Sequence, residues 1–274
     1  MELEKYGKWA LVTGGSTGIG FAMARIAASQ GLDIILVARR AELLARAQTK
    51  LQDEYKVQVK TIALDLADET SMDKLFEETG ELDVGLLIPN AGAELSGLFI
   101  NSPLEANKRL LRLNAEAPMA LIHHYGRKMA AKGRGGILLV ASGFGYQGVP
   151  YIANYSASKA YVLSLGEALN FELGKFGVDV SVISPGLTKT AMTDHAAIDF
   201  GKLPATSMSP DVVAATGLNA LGRKATVVPG FANKLSIWSN RWFSRSFSVK
   251  IFGTLIHKAI REERRSELLS LRKL

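Results

Sequence analysis

Three side chains between positions 142 and 159 have the types and spacing of a proton-transfer site. Tyr155 and Lys159 are four residues apart, so on a helix they lie one turn apart on the same face. A tyrosine alone is a poor acid or base in neutral solution because its pKa is about 10, and a nearby cation favours the phenolate. A unit charge at about 4 Å is worth roughly 4 kcal/mol at an effective dielectric near 20, which predicts a phenol pKa of about 7.

Ser142 is the third member of this candidate site. It follows an apolar, strand-like run at residues 137–141 and precedes Tyr155 by thirteen residues. A hydroxyl at the end of a strand can face the start of the next helix and bind a carbonyl oxygen. The three side chains together predict acid–base chemistry on an alcohol or a ketone. A tyrosine and a lysine also occur at this spacing by chance. The catalytic interpretation therefore depends on whether other parts of the chain carry motifs that support it.

Length and composition predict one sizeable α/β domain with a large core. The chain has 274 residues, of which 47% are hydrophobic and 22% charged, and it has no cysteine, which excludes disulfides and thiolate chemistry. The first residues carry acids and no apolar segment typical of a signal peptide, so we expect a cytoplasmic protein. We expect no metal site, because the histidines lack ligand spacing: His123, His124, His195 and His257.

Predicted strands and helices alternate along the first 184 residues. Apolar, strand-like runs fall at residues 8–13, 34–38, 57–64, 83–88, 136–141 and 178–184. Helical patterns fall between them, including residues 21–29, 42–55, 103–131 and 152–176. This alternation predicts a doubly wound parallel sheet covered by helices on both faces, a three-layer α/β/α fold. Ligands of such a fold bind beyond the carboxyl ends of the strands.

Candidate cofactor ligands follow the ends of the first two strands. The first strand runs into T-G-G-S-T-G-I-G at residues 13–20, and such a turn lets main-chain N–H groups approach a pyrophosphate at a helix N-terminus. The second strand ends in Arg39 and Arg40. An acid at this place would bind the 2′-hydroxyl of NAD, whereas arginine accommodates the 2′-phosphate of NADP. We therefore predict NADP, with Ser16 also within reach of the phosphate.

Further polar residues follow the later strands. Asp65 ends the third strand, where it is well placed for the adenine amino group. Asn90, in the P-N-A-G run of residues 89–92, can tie neighbouring strands together, and Gly92 allows close approach to the cofactor. Asn114 falls in the middle of a predicted helix, where asparagine is unfavourable. It can distort that helix and hold a water.

These motifs together resemble the classical short-chain dehydrogenase/reductase family. Residues 13–20 match the family's TGxxxGxG turn, and residues 89–92 resemble its NNAG motif, with Pro89 in place of the first asparagine. The family's catalytic tetrad falls on Asn114, Ser142, Tyr155 and Lys159. Its nicotinamide-side PG motif resembles Pro185 and Gly186, followed by Thr188 and Thr190. The resemblance covers roughly residues 7–230.

The resemblance implies a Rossmann-like catalytic domain over residues 1–230. The segment that follows, residues 231–274, lies largely outside the shared pattern, and we predict from its helical spacing an extension packed on the same domain. The resemblance also implies a homodimer or homotetramer. The cofactor-binding residues would be Gly14, Ser16, Thr17, Gly18, Ile19, Gly20, Arg39, Arg40, Asp65, Leu66, Asn90, Ala91, Gly92, Tyr155, Lys159, Pro185, Gly186, Thr188 and Thr190.

The resemblance also implies a role for each tetrad residue. Tyr155 would donate a proton to a carbonyl as the nicotinamide delivers hydride, and Ser142 would bind the carbonyl oxygen. Lys159 would lower the pKa of Tyr155 and hold the nicotinamide ribose. Asn114 would hold a water that links Lys159 to solvent.

The predicted substrate contacts are largely apolar. Residues 188–208 are predicted to cover the site, and the loop after Ser142 adds aromatic side chains. The candidate substrate residues are Ser142, Phe144, Tyr146, Tyr151 and Met192. They suit an apolar carbonyl compound such as an acyl chain, a steroid or an aromatic ketone. In the alternative interpretation these side chains only pack the cover of the site.

Three other functions are weighed against the reductase. A non-catalytic NADP-binding sensor or scaffold could share the fold, but the intact serine, tyrosine, lysine and asparagine set argues against it. An extended-branch epimerase or dehydratase would have a larger domain after the sixth strand. A nucleic-acid binder would use the basic C-terminal segment, but the body of the chain is neutral and has no nucleic-acid motif.

The basic charge of the chain is concentrated near its C-terminus. Residues 234–274 hold ten Lys or Arg and three acids, whereas the first 233 residues hold 23 of each sign. Large apolar residues recur there at helical spacing, with cations between them that argue against a transmembrane span: Leu235, Trp238, Trp242, Phe243, Phe247, Ile251 and Leu255. We favour packing on the cover of the site or on a sister subunit. Peripheral contact with an anionic membrane is the alternative.

Overall fold

The structure, a computed structural model, describes residues 2–194, 197–203, 206–239 and 242–270, without the side chains of Met192, Asp194 and Glu267. Its centre is a parallel sheet with the strand order β3-β2-β1-β4-β5-β6-β7. The strands are β1 (Trp9–Thr13), β2 (Asp33–Ala38), β3 (Val59–Ala63), β4 (Val84–Ile88), β5 (Gly135–Val140), β6 (Val178–Ile183) and β7 (Thr226–Val227).

Helices connect these strands and continue after the last one. In the described ranges they are α1 (Gly18–Ser29), α2 (Ala41–Tyr55), α3 (Ser71–Glu78), α4 (Leu104–Leu111), α5 (Ala117–Lys132), α6 (Ala153–Gly174), α7 (Ala191–Asp194), α8 (Pro210–Ala220), α9 (Phe231–Ser239), α10 (Arg245–Ala259) and α11 (Glu262–Leu269). None of them, within the part of the chain that is described, is long and apolar enough to span a bilayer.

Helices cover both faces of the sheet, which explains why the central strands β1, β4 and β5 are buried at every position. Successive side chains of a strand point to opposite faces. In β1, Ala10 and Val12 pack in a core with residues of α1, α2 and α8, whereas Trp9 and Leu11 pack in a core with residues of α3, α5 and α6. The predicted doubly wound, three-layer fold is therefore confirmed.

Two local features differ from the sequence expectation. The short strand β7 was not predicted, because two residues carry no readable alternation. The helix predicted at residues 103–131 is interrupted by a π-helical turn at Arg112–Glu116, which lies between α4 and α5. Asn114 lies in that turn, so the predicted distortion of the helix is present.

The C-terminal helices pack on the rest of the chain through one side only. Ile256 and Ala259 of α10 are buried against Val149, Ile152 and Phe200. The large apolar side chains expected to pack on the cover of the site are exposed instead, except Leu255: Leu235, Trp238, Trp242, Phe243, Phe247 and Ile251. That expectation is wrong within one chain because the inward positions of α9 and α10 are taken by other residues. Packing on a sister subunit and the domain boundary at residue 230 stay predictions.

Candidate active site

A cleft of about 620 Å³ lies along the carboxyl edge of the sheet, where the parallel strands end. Its size is within the range of small-molecule sites. Most of the predicted site residues line it: Gly14, Ser16, Thr17, Ile19, Arg39, Arg40, Asp65, Leu66, Asn90, Ala91, Gly92, Ser142, Phe144, Tyr155, Lys159, Pro185, Gly186, Thr188 and Thr190. The sheet thus brings together residues that are up to 176 positions apart, from Gly14 to Thr190.

The glycine turn is held against the end of β4 by Asn90. The Asn90 side-chain amide donates to the carbonyl oxygens of Thr13 and Gly14, at 3.0 and 3.3 Å. Gly14 has a φ of +63°, which favours glycine. A Cβ at Gly20 would collide with the Gly14 carbonyl oxygen and with Asn90 Nδ2. Gly20 therefore shapes the turn from behind, although it does not line the cleft itself.

The turn presents the start of a helix to the cleft. Gly18 is the first residue of α1, and its φ is +58°. A Cβ at Gly18 would lie 3.2 Å from Thr190 Cγ2 on the far wall. The lack of a side chain at Gly18 keeps the main chain at the start of α1 uncovered, and helix N-termini offer unpaired N–H groups to anions such as a pyrophosphate. The main-chain N–H groups at this end of the cleft are therefore suited to bind a dinucleotide.

Charged side chains surround the end of the cleft beyond β2. Arg39 and Arg40 both line it, and Arg39 is mostly exposed. The Asp65 carboxylate forms an ion pair with Arg109 and lies 3.9 Å from Arg39 Nη1. Arg109 also binds Asp68 at 2.9 Å. The negative charge of Asp65 is thus paired with arginine, and the arginines that follow β2 remain available to an anion.

Tyr155 and Lys159 are presented by the first turns of α6, as their spacing predicts. Lys159 is buried, and its Nζ donates to the carbonyl oxygen of Val140 at 2.9 Å. The same Nζ lies 5.9 Å from the centre of the Tyr155 ring. Ser142, at the end of β5, hydrogen-bonds Tyr155 and also accepts a bond from the Phe144 N–H at 3.2 Å.

The pKa of Tyr155 differs from the sequence expectation. Burial raises the pKa of Tyr155 to about 12; the hydrogen bond with Ser142 lowers it, and the charge of Glu94 raises it further. Burial also lowers the pKa of Lys159 to about 8. The expected phenol pKa of about 7 is therefore wrong for the protein alone. The physical reason is that the Lys159 ammonium is bonded to the Val140 carbonyl while desolvation favours the neutral phenol.

Asn114 supports the site from behind the cleft. Its side-chain amide accepts from the Ala93 N–H at 2.9 Å and donates to the Ala93 carbonyl oxygen at 2.9 Å. It also donates to Ser158 Oγ at 3.1 Å, in the helix that carries Tyr155. These bonds hold the P-N-A-G loop against α6. Because they occupy the side-chain amide, a water held by Asn114 would have to bind its main chain; that role stays a prediction.

The structure supports some of the predicted substrate contacts and not others. Phe144 lines the cleft and meets Phe252 of α10 edge to face, with ring centres 6.4 Å apart. Tyr146 and Tyr151 are not among the described residues that line it. Tyr146 packs against the core beneath α6, and the Tyr151 hydroxyl bonds His257 Nδ1 at 3.1 Å. The structure thus does not support their expected role, and the Met192 side chain lies outside the described residues.

Several lining residues were missed by the sequence reasoning. Glu94 lies two residues after the P-N-A-G run, and burial raises the pKa of its carboxyl against the opposing bond with Ser96. Its position two residues after Gly92 was the available signal. Further lining residues come from α7, α9 and α10, which carry no motif: Thr193, Asn233, Ser236, Ile237, Phe252 and Ile256.

The strand order and the carboxyl-edge cleft are those of the doubly wound α/β nucleotide-binding class. A family model described as short chain dehydrogenase matches residues 8–199. Because the match covers more than half of the chain, the protein belongs to the short-chain dehydrogenase family. The family is one of oxidoreductases that act on CH–OH groups with a nicotinamide cofactor, and this coarse function holds for the chain.

Individual relatives are similar over nearly the whole chain. A 7beta-hydroxysteroid dehydrogenase of Clostridium sardiniense is 29% identical over 252 residues, which is 92% of this chain and 97% of that protein. A solved structure from a study of 7beta-hydroxysteroid dehydrogenase stereoselectivity aligns with a TM-score of 0.85 and 27% identity, over 92% of this chain and 99% of that one. A short-chain dehydrogenase from Sphingobium yanoikuyae in complex with NADPH aligns with a TM-score of 0.76 and 29% identity, over 86% and 94%.

Proposed function

We propose that the protein reduces a bulky, apolar ketone with NADPH, and that Tyr155 supplies the proton. The observation that carries this proposal is the single cleft that Ser142, Tyr155 and Lys159 line together with the glycine turn and the arginines that follow β2. The Tyr155 phenol is protonated at neutral pH, which is the form that carbonyl reduction consumes, and burial raises its pKa to about 12. Ser142, hydrogen-bonded to the phenol, is available to the same carbonyl oxygen.

The proposed reaction is balanced by one hydride and one proton. The reduced nicotinamide, when bound, supplies hydride to the carbonyl carbon. Ser142 orients the carbonyl oxygen, and Tyr155 transfers its proton to that oxygen to complete the alcohol. The phenolate that is left then takes a proton back from solvent. In the reverse direction the phenolate would accept the alcohol proton, so oxidation requires a higher pH than reduction.

Preference for NADPH is supported by the charges beyond β2. Arg39 and Arg40 line the cleft beside Ser16 and Thr17, while Arg109 pairs with the Asp65 carboxylate. An anion such as the 2′-phosphate would meet arginine rather than a free acid at this end. The similarity to a dehydrogenase in complex with NADPH agrees with this preference.

The class of substrate is inferred from the residues that line the other end of the cleft. Phe144, Leu203, Phe252, Leu255 and Ile256 give that end an apolar wall with few polar partners. Such a wall favours a large hydrophobic ketone over a small polar one. The similarity to 7beta-hydroxysteroid dehydrogenases makes steroid ketones the first compounds to test, ahead of acyl or aromatic carbonyl compounds.

A panel of ketones tests the proposal directly. Steroid ketones oxidised at different ring positions, bulky aryl ketones and acetone would be offered with NADPH and with NADH, and cofactor oxidation followed by absorbance. We expect turnover of at least one bulky ketone with NADPH, none with acetone, and loss of turnover in Tyr155→Phe. NADPH binding without turnover of any compound would favour the non-catalytic sensor instead.

The assembly state and the cellular location of the protein are also proposed. We propose a homodimer or homotetramer, as the family resemblance implies, and a cytoplasmic protein. Light scattering of the purified protein would measure the first, and cell fractionation the second. Neither affects the chemistry assigned to Tyr155, which lies within a single chain.

A further inference from the structure

Helices α9 and α10 have two faces with different surroundings. Their inner face forms part of the cleft wall, through Asn233 and Ile237 of α9 and Phe252 and Ile256 of α10. The Ile237 side chain also reaches to 3.7 Å from the position of a Cβ on Gly143, next to Ser142. One side of these helices therefore lies close to the catalytic side chains.

The outer face of this segment is apolar and exposed. It is defined here by Trp238 of α9, Trp242 and Phe243 between the helices, and Phe247 and Ile251 of α10. Trp242 is 71% exposed, and the other four are between 41% and 52% exposed. The rings associate in pairs, Trp238 with Trp242 at 4.7 Å and Phe243 with Phe247 at 5.2 Å between centres. Large exposed apolar side chains grouped in this way are of the kind that marks a binding surface.

The stretch of chain that contains the outer face carries charge of one sign. Residues 212–261 hold eight Lys or Arg and no Asp or Glu. Lys234, Arg245 and Lys250 are exposed, and none of them forms an ion pair with another described residue. Aromatic rings flanked by unpaired cations are suited to a surface that offers both hydrocarbon and negative charge.

We propose that the outer face of α9 and α10 binds the interface of an anionic lipid bilayer. Tryptophan and phenylalanine rings enter the boundary between headgroups and acyl chains, while lysine and arginine meet the anionic headgroups. A second copy of the chain fits less well. A two-fold contact would place the cations of one outer face against those of the other, with no acid between residues 212 and 261 to offset them.

This geometry would allow the bilayer to supply substrate for the proposed reaction. The helices that would touch lipid on one side line the substrate end of the cleft on the other, so an apolar ketone dissolved in the membrane would have a short path to Tyr155. That consequence rests on the proposed reductase activity. The binding of lipid does not, and it can be measured without any substrate.

Vesicles of phosphatidylcholine alone and of phosphatidylcholine with phosphatidylglycerol provide the test. We expect the full chain to float with the anionic vesicles at low salt, and to be released as salt is added. Tryptophan emission should shift to the blue on binding. Because Trp9 is buried, the shift would come from Trp238 and Trp242.

Two pairs of substitutions separate the outer face from a general effect of charge. W242E with F247E should reduce binding to anionic vesicles by about tenfold or more, since each carries an acid to an anionic surface. F171E with F176E makes the same charge change at exposed phenylalanines near the end of α6 and should leave binding within about twofold of the unaltered protein. Lys234→Gln with Lys250→Gln should weaken binding without touching a ring.

Each outcome decides the proposal. Absence of binding to anionic vesicles at low salt would overturn it, and so would equal losses in the two glutamate pairs. If W242E with F247E instead converts a dimer to a monomer and the unaltered protein ignores vesicles, the outer face is an interface between copies. Vesicle binding by a protein that turns over no ketone would uphold the lipid surface and reject the proposed reaction.

Discussion

At its cofactor end the cleft is built from turns that follow parallel strands, whereas its substrate end is built from helices that follow the last long strand. The cofactor end is held by hydrogen bonds between chain segments, such as those from Asn90 to Thr13 and Gly14. The substrate end is held by apolar side chains, such as Phe144 against Phe252. The two ends therefore respond to different kinds of substitution.

The difference shows how one fold can keep its cofactor and change its substrate. Main-chain turns at the carboxyl edge depend on sheet geometry, which tolerates little change near Gly14 and Gly20. Side chains on α9 and α10 depend only on complementary packing, where volume-conserving exchanges are tolerated. Tyr155 lies between the two ends, and substitutions there should affect neither binding function but remove the chemistry.

The largest expected effect is at Tyr155. Tyr155→Phe removes the proton donor and keeps the ring, so turnover on an established ketone should fall by about 10²- to 10⁴-fold. The dissociation constant for NADPH, measured by cofactor fluorescence, should stay within about threefold, well under 1 kcal/mol. Wild-type turnover in this variant would show that the proton comes from another group.

The next effect is confined to the cofactor end. Arg39→Asp should shift preference from NADPH towards NADH by about 10- to 100-fold, because a charge-assisted bond to phosphate is lost and a carboxylate repels it. Titration of both cofactors measures the change. Arg46→Asp, exposed on α2 and outside the cleft, carries the same change of charge as a control. Equal shifts in the two variants would mean that only long-range charge matters.

A smaller effect is expected at the substrate end. Phe252→Ala should lower kcat/KM for a bulky ketone by about tenfold, through loss of roughly 1–2 kcal/mol of apolar contact. The affinity for NADPH should not change, because Phe252 approaches Phe144 and not the glycine turn. Phe171→Ala, on the exposed side of α6, is the matched control. A parallel loss of NADPH affinity would contradict the separation of the two ends.

The smallest expected effect is a shift in the pH dependence of alcohol oxidation. The charge of Glu94 is one of the causes that raise the pKa of Tyr155, so Glu94→Gln should lower that pKa. Alcohol oxidation needs the phenolate, and its rate should then rise at a lower pH than in the unaltered protein. The pH profile of oxidation measures this, with Glu77→Gln on α3 as the control. A profile moved to higher pH would contradict the assigned sign.

Much of the cofactor end could be predicted from the sequence by itself. Strand β1, the glycine turn and helix α1 are consecutive in the chain, so their local pattern carries the whole arrangement. The spacing of Tyr155 and Lys159 likewise placed them on one helix. Asn114 could be predicted to distort its helix because asparagine is unfavourable in the middle of a helix. Parallel strands then bring these segments to one edge whatever the loops between them contain.

Only the tertiary structure decided the remainder. It paired Asp65 with Arg109, turned Lys159 to the Val140 carbonyl, and placed Ile256 rather than Phe247 on the inner face of α10. Each of these depends on contacts between distant parts of the chain. Local periodicity can indicate that a segment is a helix with an apolar face. Which face is buried, and how far burial shifts the pKa of a group such as Tyr155, depends on what the fold packs against it.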